Sequence, residues 1–287
     1  MANTGPFDTA MSPGERRVVI TGIGVVAPGG VGTGPFWDLL TAGRTATRAI
    51  SHFDATRFRS RIAAECDFDP ARHGLTPQEI RRMDRAAQFG VVSAREALTD
   101  AGLTAAQLVP ERTAVSLGSA VGCTVGLEQE YLVVSNGGRD WLVDPAYAVP
   151  QLYGYLVPSS LAVEVAWAVG AEGPVALIST GCTSGLDSVG HGAVLIREGS
   201  ADVVVAGATE APISPITVAC FDAINATSRN NDDPEHASRP FDRDRDGFVL
   251  GEGAAVLILE EAGHAYRRGA EVYAEIAAVA NHGMRTT

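Results

Sequence analysis

Apolar residues dominate stretches near 17–23, 113–118, 175–180, 202–207, 254–260 and 271–280, most of them as continuous runs. Runs of this length predict strands covered on both faces. Between them the period changes. After Thr76-Pro77-Gln78-Glu79, Ile80, Met83, Ala87, Val91, Ala94 and Leu98 recur at helical spacing until Gly102. The tetrapeptide is a capping box with proline at the first helical position, and the glycine is a stop signal, so one long helix is expected. The same start and stop rules predict a shorter helix from Pro35 to Gly43. Strands alternating with helices mark a layered α/β fold. The stretch 123–173 is too long for a simple crossover and holds Trp141, Tyr147, Tyr153, Tyr155 and Trp167. It reads as an inserted helical layer lying over the candidate cysteine described next.

The nonapeptide Ser179-Thr180-Gly181-Cys182-Thr183-Ser184-Gly185-Leu186-Asp187 follows the apolar run Val175-Ala176-Leu177-Ile178 and opens a helical stretch that ends before Gly199. A cysteine there sits on a sharp strand-to-helix turn, with glycines on both sides that let the backbone bend and approach a substrate. The helix that follows directs its positive end at the sulfur, which favours the thiolate. An exposed thiolate at such an elbow suits acyl transfer. Spacing alone allows a second reading, a small buried cysteine filling a gap at a strand end.

Composition narrows the classes. A chain of 287 residues, 46% hydrophobic, has ample material for one large domain or two modest ones. A net charge of -12 argues against nucleic acid as a partner. All 22 basic residues are arginine, so no lysine is available for Schiff-base chemistry or PLP attachment. The four cysteines, at 66, 123, 182 and 220, form no C-x-x-C pair. They read as reduced thiols of a cytoplasmic protein rather than a disulfide frame or zinc site. Residues 1–16 are polar, lack the pattern of a signal peptide and read as a flexible tail. No apolar run approaches the roughly 20 residues of a membrane span.

Several motifs in order carry a family resemblance. Arg17-Val18-Val19-Ile20-Thr21-Gly22-Ile23-Gly24, the Cys182 nonapeptide, Gly207-Ala208-Thr209-Glu210-Ala211-Pro212, Ser238-Arg239-Pro240-Phe241-Asp242 and above all Arg245-Asp246-Gly247-Phe248-Val249-Leu250-Gly251-Glu252-Gly253-Ala254 resemble β-ketoacyl synthases. Thr180 to Gly190 and Glu164 to Pro174 are similar to the ketosynthase alpha subunit of bacterial type II aromatic polyketide synthases. The resemblance implies a thiolase-like fold of two similar halves. Residues 17–262 would form a complete N-terminal half, and 263–287 would begin a C-terminal half that is mostly missing. It further implies that Cys182 accepts an acyl chain from the phosphopantetheine arm of an acyl carrier protein, with its backbone N–H as one oxyanion donor. Decarboxylative Claisen condensation with a malonyl-carrier unit would follow. The family's two catalytic histidines, its lysine and its glycine-rich oxyanion loop are not found in this sequence, so the chain alone is not expected to condense.

The same resemblance makes Arg81, Arg82 and Arg229 the docking cations for an acidic carrier protein; the alternative is ordinary solvated arginines. It implies no bound cofactor and no metal, and a chain-length-factor subunit or a second copy as the dimer partner. Two other functions stay open: a fatty-acid elongating β-ketoacyl-carrier synthase and a non-catalytic assembly fragment. Three further features are weaker. Asn281-His282-Gly283 comes one strand and one helix too early to be the family's first histidine motif. Gly22-x-Gly24-x-x-Ala27 matches a dinucleotide fingerprint, but Pro28 follows and the resemblance explains the glycines as a strand-end turn. Asp242 to Gly247 mimics a calcium loop, yet its twelfth position is Gly253 and no helix enters it. The remaining histidines, at 52, 73, 191, 236 and 264, are expected on surfaces and helix ends.

Overall fold

The computed structural model describes residues 16–280. Its strands are β1 (Val18–Ala27), β2 (Gly30–Val31), β3 (Arg48–Ala49), β4 (Ile62–Ala64), β5 (Thr113–Gly118), β6 (Val175–Ile178), β7 (Val203–Glu210), β8 (Leu250–Gly251), β9 (Gly253–Glu261) and β10 (Ala274–Glu275). Its helices are α1 (Thr33–Thr41), α2 (Pro77–Arg82), α3 (Arg85–Asp100), α4 (Thr124–Val134), α5 (Leu152–Leu156), α6 (Ser160–Val169), α7 (Ser184–Arg197), α8 (Pro215–Ala223) and α9 (Ala262–Arg267).

One mixed sheet organises the chain, in the order β10-β1-β9-β7-β5-β6, with β2 hairpinned onto β1. Strands β7, β5 and β6 are parallel, whereas β9 runs antiparallel to both β7 and β1. Alternate residues of each strand go to opposite faces. Val115, Leu117, Val203, Val205, Val256 and Ile258 pack with α3 and α6 on one face. Ala114, Val204, Ala206 and Leu259 pack with α7 on the other. The result is the expected layered α/β arrangement. A small sheet, β3-β4-β8, stands beside it. It is joined to α3 by Glu252, which takes Arg85 at 2.6 Å and the Cys66 N–H at 2.8 Å.

Four expectations need correction. The capping box at Thr76 and Glu79 forms, but the helix it starts ends at Arg82. Met83 is extended, and Asp84 starts a second helix by accepting from the Ala86 N–H at 2.8 Å. The buried Asp84 carboxylate also takes the Gly126 N–H at 2.6 Å, a tertiary bond to α4. The run 271–280 pairs only through Ala274 and Glu275, which lie antiparallel to β1 at the edge of this same sheet. Its attachment is polar as well, since Arg17 holds Glu275 and Arg197 holds the Ile276 carbonyl. Gly22 and Gly24 are not at a turn: both lie inside β1, under α3. Finally, the helical layer of 123–173 does not cover the cysteine. Its helix α6, rich in alanine and valine, buries Leu161, Val165 and Val169 on the α3 face, opposite to α7. Cys182 is exposed.

The predicted tail, apart from Arg16, and His282 lie outside the described residues. Among the described residues no helix is long and apolar enough to cross a membrane.

Candidate active site

Strand β6 stops at Ile178, two residues earlier than its apolar run suggests, and the chain turns within five residues into α7. Gly181 takes a left-handed conformation, φ 69°, which a side chain would oppose. Residues Gly181–Thr183 form a single 3-10 turn, with Cys182 at its centre. Side chains of the turn hold it. Ser184 Oγ accepts from the Thr180 N–H at 3.0 Å and donates to the Gly181 carbonyl at 2.6 Å. Asp187 accepts from the hydroxyls of Thr180 and Thr183. The floor is the end of β5, where a Cβ on Gly118 would lie 2.3 Å from the Ser184 carbonyl oxygen. Ser119 N–H donates to the Ile178 carbonyl at 3.1 Å and so joins the end of β5 to the last residue of β6.

The loop after β5 is fastened by two carboxylates. Glu210, at the end of β7, accepts from Ser119 Oγ at 2.8 Å, the Ala120 N–H at 2.5 Å and the Val121 N–H at 3.2 Å. Asp84 holds the same segment from its far end through Gly126. Burial pushes both carboxyls above the usual range. Sequence reasoning missed both. Asp84 had a legible signal, an acid directly before a helical run, whereas Glu210 had none beyond its place in a motif.

Helix α7 sits tightly on the sheet. Ser188 Oγ donates to the Gly207 carbonyl at 2.5 Å, and Ser116 Oγ donates to the Ser188 carbonyl at 2.8 Å. His191 Nδ1 is 3.0 Å from Ser116 Oγ, so this histidine is a packing contact with β5. His264 pairs with Glu260, His236 with Asp233, and His73 stacks on Phe68. His52 is within 4.0 Å of the buried carboxylates Glu65 and Glu252.

The three expected docking cations are placed differently from one another. Arg81 and Arg229 are exposed. Arg82, only 36% exposed in its side chain, forks onto the buried Glu164 at 2.6–3.1 Å and lies 5.3 Å above the Trp167 ring. Its hydrogen bonds to Glu164 raise its already high pKa. The loop 242–247 is partly self-paired, through Arg243 with Asp244 and Arg245 with the Asp242 carbonyl. Asp246 instead accepts from Ser228 Oγ and the Arg229 N–H. Among the described residues no group of His, Cys, Asp and Glu is arranged to hold a metal ion.

Cys182 is thus presented on a strand-to-helix turn that begins with a left-handed glycine, above a mixed sheet with helices on both faces. The chain belongs to the β-ketoacyl synthase family, whose N-terminal domain matches residues 15–265. It is 68% identical over 262 residues to the tetracenomycin polyketide synthase ketoacyl synthase alpha subunit of Streptomyces glaucescens, covering 91% of this chain and 62% of that one. Identity is 63% to the granaticin polyketide putative beta-ketoacyl synthase 1 of Streptomyces violaceoruber, with 94% and 64% covered. It falls to 40% against 3-oxoacyl-[acyl-carrier-protein] synthase 2 of Coxiella burnetii, with 91% and 62% covered. Among solved structures, a type II PKS acyl-carrier protein in complex with its ketosynthase bound to the hexaketide superposes with a TM-score of 0.82 at 36% identity, over 92% of this chain and 62% of that chain. The chain thus spans about three-fifths of the length of these relatives.

Proposed function

We propose that this chain carries the acyl-accepting site of a type II polyketide ketosynthase alpha subunit, with Cys182 as the nucleophile. The observation that carries the reading is the exposed Cys182 at the tip of a braced turn, in a chain 68% identical to such a subunit. The gap between 68% and 40% identity favours the polyketide class over the fatty-acid elongating one.

The Cys182 thiolate attacks the carbonyl of an acyl thioester carried on phosphopantetheine. A C–S bond to Cys182 forms, the carrier's acyl C–S bond breaks, and the carrier leaves as its thiolate, which takes a proton from water. The Cys182 backbone N–H is one donor to the tetrahedral oxyanion. In the complete synthase, a malonyl-carrier then loses carbon dioxide, and its carbanion displaces Cys182 to give a β-ketoacyl-carrier two carbons longer. The substrates arrive on an acyl carrier protein, so the chain itself needs no bound cofactor. Arg81 and Arg229 suit the docking of an acidic carrier. A chain-length-factor subunit or a second copy completes the dimer, in the cytoplasm, where four free cysteines stay reduced.

The test is intact mass after incubation with an acyl-loaded carrier protein, beside Cys182→Ala. An acyl adduct on the chain that disappears in the variant supports the reading. An adduct of equal size in the variant, or none on the folded wild type, removes Cys182 from this role.

A further inference from the structure

Asp187 stands in the first turn of α7, immediately after the turn that presents Cys182. One of its carboxylate oxygens, Oδ2, receives two hydroxyls: Thr180 Oγ1 from before the cysteine and Thr183 Oγ1, at 3.0 Å, from after it. Thr183 has a single hydroxyl proton, and Asp187 is its nearest acceptor, ahead of the Thr180 carbonyl and hydroxyl oxygens at 3.2 Å. A charged acceptor is also the stronger one. Asp187 therefore ties together the residues two before and one after Cys182. Ser184 closes the other side through the Thr180 N–H and the Gly181 carbonyl. None of these bonds uses the sulfur.

We propose that Asp187 is the positioning residue for Cys182: with Thr180 and Thr183 it fixes the turn so that the sulfur and the Cys182 N–H meet the same thioester carbonyl. The inference rests on the reading of Cys182 as the acyl acceptor. Its physical basis is that acyl transfer needs the nucleophile and the oxyanion donor held together, and small misplacements slow such reactions strongly. A carboxylate serving only to complement the positive end of a helix would act through its charge, and asparagine would not replace it. A positioning acceptor acts through its oxygen, which asparagine keeps.

The experiment uses the 287-residue chain and follows acyl loading from an acyl-N-acetylcysteamine thioester by intact mass, with Cys182→Ala as background. Alkylation by iodoacetamide, which has no carbonyl geometry to satisfy at the oxyanion donor, is measured in parallel. Asp187→Ala and Thr183→Val are expected to load about tenfold more slowly, and Asp187→Asn to recover to within about threefold of wild type. Alkylation of Cys182 is expected to stay within about threefold in all of them. Wild-type loading with Asp187→Ala equal to it overturns the positioning role alone, as does Asn no better than Ala. A wild type that alkylates but does not load overturns the nucleophile reading and this inference with it.

Discussion

A Cβ placed on Gly24 would lie 1.9 Å from the carbonyl oxygen of Ser93, so α3 rests directly on the backbone of β1 at this point. One turn further along, Gly22 meets the Ala97 carbonyl in the same way, at 2.2 Å. Both obstructing atoms are helix backbone, which cannot swing aside. Gly24→Ala is therefore expected to destabilise the fold by about 2–3 kcal/mol, at the upper end of overpacking costs. Gly34→Ala, in α1 with nothing within 4 Å, should stay within about 1 kcal/mol of wild type. Urea unfolding of the two variants decides it, and equal midpoints would contradict the close approach.

The four cysteines divide by burial. Cys66 and Cys123 are buried, and burial pushes each thiol up to about 12. A raised thiol pKa lies above the working pH, so at pH 8 only about one molecule in ten thousand carries the thiolate at either site. Cys182 and Cys220 are exposed. Native labelling with a thiol reagent at pH 8 should modify those two quickly and the other pair only after unfolding. Peptide mapping that finds Cys66 or Cys123 labelled in the native protein would count against this packing.

Arg82 and its neighbours separate stability from docking. Arg82→Ala strips the partner from Glu164, a carboxylate almost fully enclosed by α6 and its surroundings. Because Arg82 itself is partly solvated, the expected loss is about 1–3 kcal/mol rather than the full cost of a buried unpaired charge. Arg81→Ala and Arg229→Ala should leave stability within about 0.5 kcal/mol while weakening carrier-protein binding and lowering its salt dependence. Thermal unfolding and binding titrations at two salt concentrations measure both effects. An Arg82→Ala protein as stable as Arg81→Ala would show that the Glu164 pair contributes nothing.

The central strands were readable because their signal is local and strong. Thr113–Gly118 matches its apolar run residue for residue, and β7 and β9 differ from theirs by a few residues at the ends. The elbow was readable for the same reason: a strand run, glycines, a cysteine and a helical run follow one another within about 20 residues. What went unread were partners distant in sequence. Arg82 meets Glu164 across 82 residues, and Asp84, the N-cap of α3, also takes the Gly126 N–H, 42 residues on. The run 271–280 has an apolar pattern fit for a full strand, yet only Ala274 and Glu275 find ladder partners on β1.

By itself, then, the sequence determined the layered α/β class, the strand-to-helix turn and the family, because hydrophobic period, capping and glycine placement act within a few residues of one another. Only the tertiary structure decided which face each helix takes, that α6 leaves Cys182 open, and that Arg82 is paired with Glu164. Those outcomes depend on where backbone oxygens and buried charges meet in space. Burial makes an unpaired charge costly, so the partner that satisfies it is chosen by packing and not by nearness in the chain.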